Sequence, residues 1–422
     1  MLNNAIWICI LSVMALVIAY ICTPAHRYRV TFIVILLGTL LIRFAVVMYI
    51  YRQGYDAFGT DGLLYHRAGI QIAVQLDKGI SIFRIEYPYT WYTVFIGIIY
   101  YLFGVCRYYA SFINAFIAFL SGILVFKIAL KREYSFENSA FISILFLYFP
   151  NIILWTSDTR KESLIILVSL LIWYIVQDIV LNLHCRRKPS YSYVQIVTIC
   201  LLIWIATLIR IYLFVPIVLG IVASQLIQYA KDRNRICLVL TAAVIASSVI
   251  IFFTTVYPGI QNHHALHFPE SQTDNVFENI LEKLVVLGRI VSSRNLFVSV
   301  LNYLIMPLPG NMNIADIRGM ERVILCVQVD MLMWYISLAL IPAGVYTMLK
   351  SRNSCFIGIL VNIITYILIN ALLVENVPDT IYRYRAQIVG LSLLFIDGKQ
   401  IKAFVAGFIE HISRVKYKIY ID

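Results

Sequence analysis

Long apolar runs separated by short polar stretches fill most of this chain. A helix needs roughly 20 apolar residues to cross the hydrocarbon of a bilayer. Runs near that length cover 5–22, 30–51, 108–130, 139–156, 163–183, 194–209, 211–229, 236–256, 326–349, 355–373 and 384–398. One more, 89–105 (YTWYTVFIGIIYYLFGV), is short, aromatic and follows Pro88. The pattern predicts an all-α fold, a polytopic transmembrane bundle of about eleven spans (roughly 10 to 13). No repeat, low-complexity tract or soluble domain interrupts it, so residues 1–422 read as a single integral membrane domain.

Between Asp61 and Asp77 the period changes. Leu64, Ala68, Ile72 and Leu76 recur every four residues, with Arg67, Gln71 and Gln75 opposite. That is the pattern of an amphipathic helix lying in the membrane interface. The remaining sizeable polar stretch, 257–325, predicts a helix over 275–290 and a Pro-containing turn, MPLPGN, at 306–311.

Charge then orients the spans. Lys and Arg concentrate on the cytoplasmic side of membrane proteins. If 89–105 does not cross, HRYR (26–29), Lys127/Lys131/Arg132, CRRK (185–188), KDRNR (231–235), KSR (350–352) and the basic C-terminal stretch share one side. If it crosses, they split. We therefore read 89–105 as a second interfacial helix, with the N-terminus outside. The outer segments are then 52–107, 257–325 and 374–385, joined by the short turn 157–162. The implied location is the cytoplasmic (inner) membrane, multi-pass.

Composition agrees. The chain is 61% hydrophobic and 13% charged, with mean hydropathy +0.84; a soluble domain carries about 25% charge. The net charge of +12 would suit nucleic acid, but its placement in inter-span clusters argues for topology instead. Eight Cys are scattered without a CxxC pair, against a disulfide framework or a zinc site. The first run lacks a basic leader and a small-residue cleavage motif, as expected of a retained anchor.

Candidate chemistry sits on the outer face. Ionisable residues at membrane depth are costly and usually face a cavity. The first loop brings Asp56, Asp61, Tyr65, His66, Arg67 and Glu86; the turn brings Asp158, Arg160, Lys161 and Glu162; the late loop brings Glu375, Asp379, Arg383 and Arg385. Arg210 interrupts the apolar run LLIWIATLIRIYLFVPIV. Asp61 stands at a helix start, where free N–H groups favour a carboxylate. It is thus a cap, a base, or both. Arg383 and Arg385, with Tyr382 between apolar and basic positions in IYRYR, offer planar donor forks to phosphate; the alternative is snorkelling at a helix end. Arg210 serves an anion or a short interhelical loop, and DTRKE (158–162) a site or a solvated turn. Tyr87, Tyr89, Trp91 and Tyr92 serve as headgroup anchors or sugar platforms. His263, His264 and His267 form an HHxxH pattern without a fixed carboxylate, so no metal is expected, although a divalent ion would be compatible.

Taken together, the pattern resembles the GT-C class of membrane glycosyltransferases, the superfamily of protein O-mannosyltransferases and lipid A aminoarabinose transferases. The resemblance covers most of the chain. It rests on Asp61 with Tyr65-His66, on EYPYTWYTVFIGIIYYLFG (86–104), on FPNIILWTSDTRKES (149–163) and on IYRYRAQ (381–387). It departs where Asp61 is followed by Gly62 rather than a second acid, and in the two spans before the acidic loop. The resemblance implies transfer of a sugar from a polyprenyl-phosphate donor to a glycan, lipid or protein acceptor at the outer face, in cell-surface glycan synthesis. In that scheme Asp61 is the base and Arg383, Arg385 and Arg210 bind the donor phosphate. Asp56, Tyr65, His66, Glu86, Asp158, Lys161, Glu162 and Tyr382 bind substrate or support the site. No cofactor is implied. One-step inversion would put the base across the cavity from the Arg pair.

Two other functions fit the pattern less fully. A repeat-unit polymerase for O-antigen or capsule would draw on Arg289, Arg294, Arg318 and Arg322 of the large loop. A lipid or glycan transporter would need charges within its spans, for which Arg43 and Asp330 are the candidates.

Overall fold

The computed structural model describes residues 2–52, 61–85, 90–132, 134–184, 190–232, 235–251, 296–306, 324–351, 353–373 and 378–397. Described regular structure is entirely helical. In chain order the helices are α1 (Leu2–Cys22), α2 (Arg29–Arg52), α3 (Asp61–Asp77), α4 (Tyr92–Phe103), α5 (Arg107–Lys131), α6 (Phe136–Tyr148), α7 (Pro150–Thr156), α8 (Glu162–His184), α9 (Ser190–Ile209), α10 (Phe214–Asp232), α11 (Arg235–Ile251), α12 (Leu296–Ile305), α13 (Ile324–Ser351), α14 (Ser354–Leu373) and α15 (Pro378–Leu393). Seven are long and apolar enough to cross a membrane, over 5–22, 29–52, 107–131, 162–181, 211–231, 324–351 and 354–372.

Helix α5 is the centre of the bundle. It touches α1, α2, α4, α6, α7 and α8, and buries Phe112, Phe116, Phe119 and Phe126 among them. Helices α10 and α14 cross closely because Gly220 and Gly358 face each other: a Cβ on Gly220 would stand 2.7 Å from the Gly358 carbonyl oxygen. Small residues at crossings are how membrane helices gain packing contact.

Helices α3 and α4 form a separate layer. α3 spans the residues its four-residue period predicts. α4 has 12 residues, about 18 Å at 1.5 Å per residue, too short for a bilayer core of about 30 Å. Its length suits the interfacial reading. Gly69 of α3 and Gly97 of α4 let the two helices approach, Ile96 resting on Gly69 and Ile72 on Gly97. His66 Nδ1 and the Tyr100 hydroxyl share a hydrogen bond of 2.8 Å across the pair.

Three expectations change. The run 139–156 is not one straight span: α6 and α7 meet at 56°. Pro150 lacks the N–H that would continue the ladder and pushes Phe149 out of helical geometry; Phe149 sits at φ −62°, ψ 118°. The run 384–398 starts earlier, at Pro378, which suits the first position of α15. Arg383 and Arg385 therefore lie within a helix rather than in a loop outside it. Finally, LFVSVLNYLI forms α12 within the stretch read as loop. The helix expected over 275–290, the turn residues after Met306, and His263, His264 and His267 lie outside the described residues, as do Arg289, Arg294, Arg318 and Arg322.

Candidate active site

The start of α3, the turn between α7 and α8, the α9–α10 junction and the first turns of α15 converge. Glu162 is the first residue of α8 and is fully buried. Its Oε1 accepts from Arg383 Nε at 2.5 Å and from Arg210 Nη2 at 3.2 Å. Arg383 is forked, and its Nη1 donates to Asp61 Oδ2. One guanidinium thus joins a buried carboxylate to a half-exposed one, since the Asp61 side chain is 40% accessible and that of Glu162 0%. Asp61 is the open end of the cluster.

Arg210 reaches Glu162 because the chain is extended there, φ −157°, ψ 102°, between Ile209 and a short 3-10 turn. Its guanidinium lies over Tyr384 at 4.3 Å and near Tyr212 at 5.1 Å, two aromatic faces that favour a desolvated cation.

A second buried group supports the first. Asp158 accepts from Arg160 Nε at 2.9 Å, Arg107 Nη2 at 3.2 Å and the Thr159 amide at 2.7 Å. Asn114 of α5 donates to the carbonyl oxygens of Asp158 and Arg160, at 2.7 and 2.9 Å, and to the Tyr92 hydroxyl at 2.8 Å. The turn 157–161 is therefore not a solvated link; its backbone is clamped to the central helix. Arg160 also brings Nη1 to 4.0 Å from Asp61 Oδ2. Trp155, at the end of α7, lies 4.8 Å from the Arg160 guanidinium and 5.9 Å from that of Arg383.

Gly62 follows from this geometry. A Cβ there would meet Asp158 Oδ2 at 2.6 Å and Arg107 Nη2 at 2.7 Å. A second acid beside Asp61 has no room in this chain.

Lys161 points to the same region, with Nζ 3.5 Å from the Ile209 carbonyl oxygen and 6.0 Å from the Tyr65 ring. Among the described residues it has no ion pair within 4.0 Å. Burial, then Arg210, pushes its amine down to about 7. Burial pushes the Asp61 carboxyl up, but Arg383 and Arg160 outweigh it and hold the group below the usual range. His66 falls to about 4 through burial, helped by Arg107 and Arg67, so its ring is neutral near pH 7. Burial raises the Tyr65 hydroxyl above its ordinary value.

The structure thus brings together Asp61, Glu162, Arg210, Arg383 and Lys161, with Asp158, Tyr65 and His66 around them. It does not bring Arg385. Positions two apart on a helix face opposite ways. Arg385 is fully buried and donates to the carbonyl oxygens of Tyr303 (3.1 Å) and Met306, at the end of α12. Tyr382 is buried too: its ring lies 6.2 Å from Trp155 and its carbonyl accepts from Asn151. Nor do base and arginine face each other across a gap: Asp61 and Arg383 are in contact. Asp56, Glu86 and Glu375 lie outside the described residues, as does the side chain of Asp379.

Arg107, Asn114, Trp155 and Gly62 are members that the sequence reading did not single out. Arg107 closes the first loop, where a basic residue reads as a helix-end charge. Asn114 and Trp155 lie in apolar runs. Gly62 carried a signal, as the departure from an acidic pair. Among the described residues no cluster of three or more His, Cys, Asp or Glu could hold a metal ion.

No family model matches the chain, and no curated protein matches it. Among solved structures the chain is similar to the crystal structure of ArnT from Cupriavidus metallidurans bound to undecaprenyl phosphate. The identity is 13%, over 86% of this chain and 78% of that chain, with a TM-score of 0.35. A match that distant transfers no residue role. Apolar spans and an all-helical architecture together make this chain a polytopic α-helical membrane protein.

Proposed function

We propose that the chain is a membrane glycosyltransferase of the GT-C kind. It takes a sugar from a polyprenyl-phosphate donor and passes it to an acceptor hydroxyl at the outer face. The observation that carries this reading is the half-exposed Asp61 carboxylate held by the Arg383 guanidinium, with Arg210 and Lys161 close by. Cationic donors gathered at one open carboxylate suit a phosphate beside a base.

The chemistry follows from the pairing of Asp61 with Arg383. Preorganised cations stabilise charge that develops on a leaving group. A donor phosphate would recruit Arg383, with Lys161 and Arg210 as further ligands. Recruitment would weaken the hold of Arg383 on Asp61, and that hold is what keeps the carboxyl acidic. Asp61 would then be the stronger base. It would take the proton of the acceptor hydroxyl while that oxygen bonds to the anomeric carbon. The bond from that carbon to the phosphate oxygen breaks, and its electron pair leaves with the phosphate. A direct displacement inverts the anomeric centre. Arg385 has no part in this step.

The test uses full-length protein in detergent and a panel of polyprenyl-phosphate sugars. Asp61→Asn should lower transfer by about 10² to 10⁴-fold, the usual contribution of a positioned base, with the fold intact. Activity within tenfold of wild type removes Asp61 from the role. A transporter would have used Arg43 and Asp330 to carry charge or cargo; both instead make fixed hydrogen bonds to backbone.

A further inference from the structure

The break between α6 and α7 separates a carbonyl from its amide. In an unbroken helix the Leu147 oxygen would accept from the Asn151 N–H, four residues on. Here the ladder stops, because Phe149 is extended and Pro150 has no N–H to give. Both groups are buried in the bundle, where an unpaired backbone group is costly. Two polar side chains from other helices replace the missing partners. Arg43 Nη2, on α2, donates to the Leu147 oxygen at 2.7 Å. Asp330 Oδ1, on α13, accepts from the Asn151 amide at 2.7 Å. Arg43, Asp330 and Asn151 are all 0% exposed.

The same residues reach the site. The Asn151 side chain donates to the Tyr382 carbonyl at 2.7 Å, and the next residue is Arg383. Arg43 Nε approaches Thr156 Oγ1 at 3.4 Å, at the far end of α7. Helix α7 therefore has its start held by Asp330 and its end by Arg43. What it delivers is Trp155, near the guanidinium groups of both Arg160 and Arg383, and then the turn with Asp158.

We propose that Arg43 and Asp330 are positioning residues. By satisfying the two halves of one broken helical hydrogen bond, they set the direction of α7 and so the placement of Arg383 and Arg160 around Asp61. This inference rests on the glycosyltransferase reading only for its activity arm. Its chemistry is acceptor and donor geometry, not proton transfer. The amide oxygen of Asn at position 330 should therefore serve nearly as well as the carboxylate.

The experiment compares Asp330→Ala, Asp330→Asn and Arg43→Gln in purified full-length protein, with Trp155→Phe subtraction to isolate one indole among the six tryptophans. Asp330→Ala should shift Trp155 emission and lower kcat about 10²-fold, the scale of a displacement near 1 Å, with donor KM changed less than threefold. Asp330→Asn should keep the Trp155 signal and kcat within threefold of wild type. Arg43→Gln, with one donor left for Leu147, should fall between them. Should Asp330→Ala not fold, the Asn variant still decides: loss of kcat or of the Trp155 signal in a folded Asp330→Asn protein overturns the proposal, because the charge itself would then matter. An unchanged Trp155 signal in folded Asp330→Ala also overturns it. Absence of sugar transfer in wild type would sink the function reading instead, and leaves the Trp155 comparison as the positioning test.

Discussion

Gly62→Ala is a one-carbon change whose outcome the geometry sets. The added Cβ would stand 2.6 and 3.0 Å from the two Asp158 oxygens and 2.7 Å from Arg107 Nη2. Ordinary van der Waals contact begins at about 3.5 Å, so the surfaces must separate by roughly 0.9 Å. Asp158 cannot easily give way, because three donors hold it and it is 3% exposed. The start of α3 is freer, and it carries Asp61, so the carboxylate should move. Overpacking costs about 1–3 kcal/mol, while replacing Gly by Ala in a helix returns up to about 1 kcal/mol. Net destabilisation should stay near 0–2 kcal/mol, a small fall in thermal midpoint in detergent. Activity should suffer more, because a displacement near 1 Å costs up to about 10²-fold. The assay is kcat/KM for sugar transfer beside a melting curve. A Gly62→Ala protein that transfers within threefold of wild type would refute the argument, since the contact would then have relaxed without moving Asp61.

Three further outcomes are expected. Lys161 is charged below about pH 7 and neutral above it, so donor KM should rise as pH is taken from 6 to 8 and stay flat in Lys161→Arg. Removing Glu162 as Ala strips a fully buried carboxylate that the Arg210 and Arg383 guanidinium groups share; stability should fall by about 3–5 kcal/mol, read by thermal denaturation, with Glu162→Gln milder. Arg383→Met should cut transfer by about 10² to 10³-fold, the scale of losing one charge-stabilising donor, whereas Arg385→Met should lower stability by about 1–3 kcal/mol through two orphaned carbonyls and leave donor KM within threefold; equal KM effects would contradict their opposite placement.

Much of the architecture was legible because apolar length and period are local. The 61–77 helix is where its four-residue period puts it, and 89–105 yielded a helix too short to span. Arg210 stood out as a charge amid apolar neighbours, and Glu162 and Arg383 as charges in short outer segments; the site is made of all three. Two kinds of fact were not local. Reading Arg383 and Arg385 as one pair assumed a loop; once Pro378 starts a helix, a spacing of two splits them to opposite faces. The bend at Phe149–Pro150 was marked by proline, but its role depends on Arg43 and Asp330, each more than a hundred residues from one of its partners. Such closure appears in no window of sequence. The same holds for Asn114 and Arg107, whose partners lie on another turn of the fold.

The reach of Arg383 also has a consequence in time. Its partners Glu162 and Asp61 precede it by 221 and 322 residues. Arg210 follows Glu162 by only 48, so that carboxylate gains a first counter-charge early. Asp61 waits for Arg383 through 322 residues of synthesis, about 16–64 s at roughly 5–20 residues per second. The cluster is thus completed only once α15 is made, and a nascent chain that stalls before it leaves Asp61 with Arg160, 4.0 Å away, as its nearest cation.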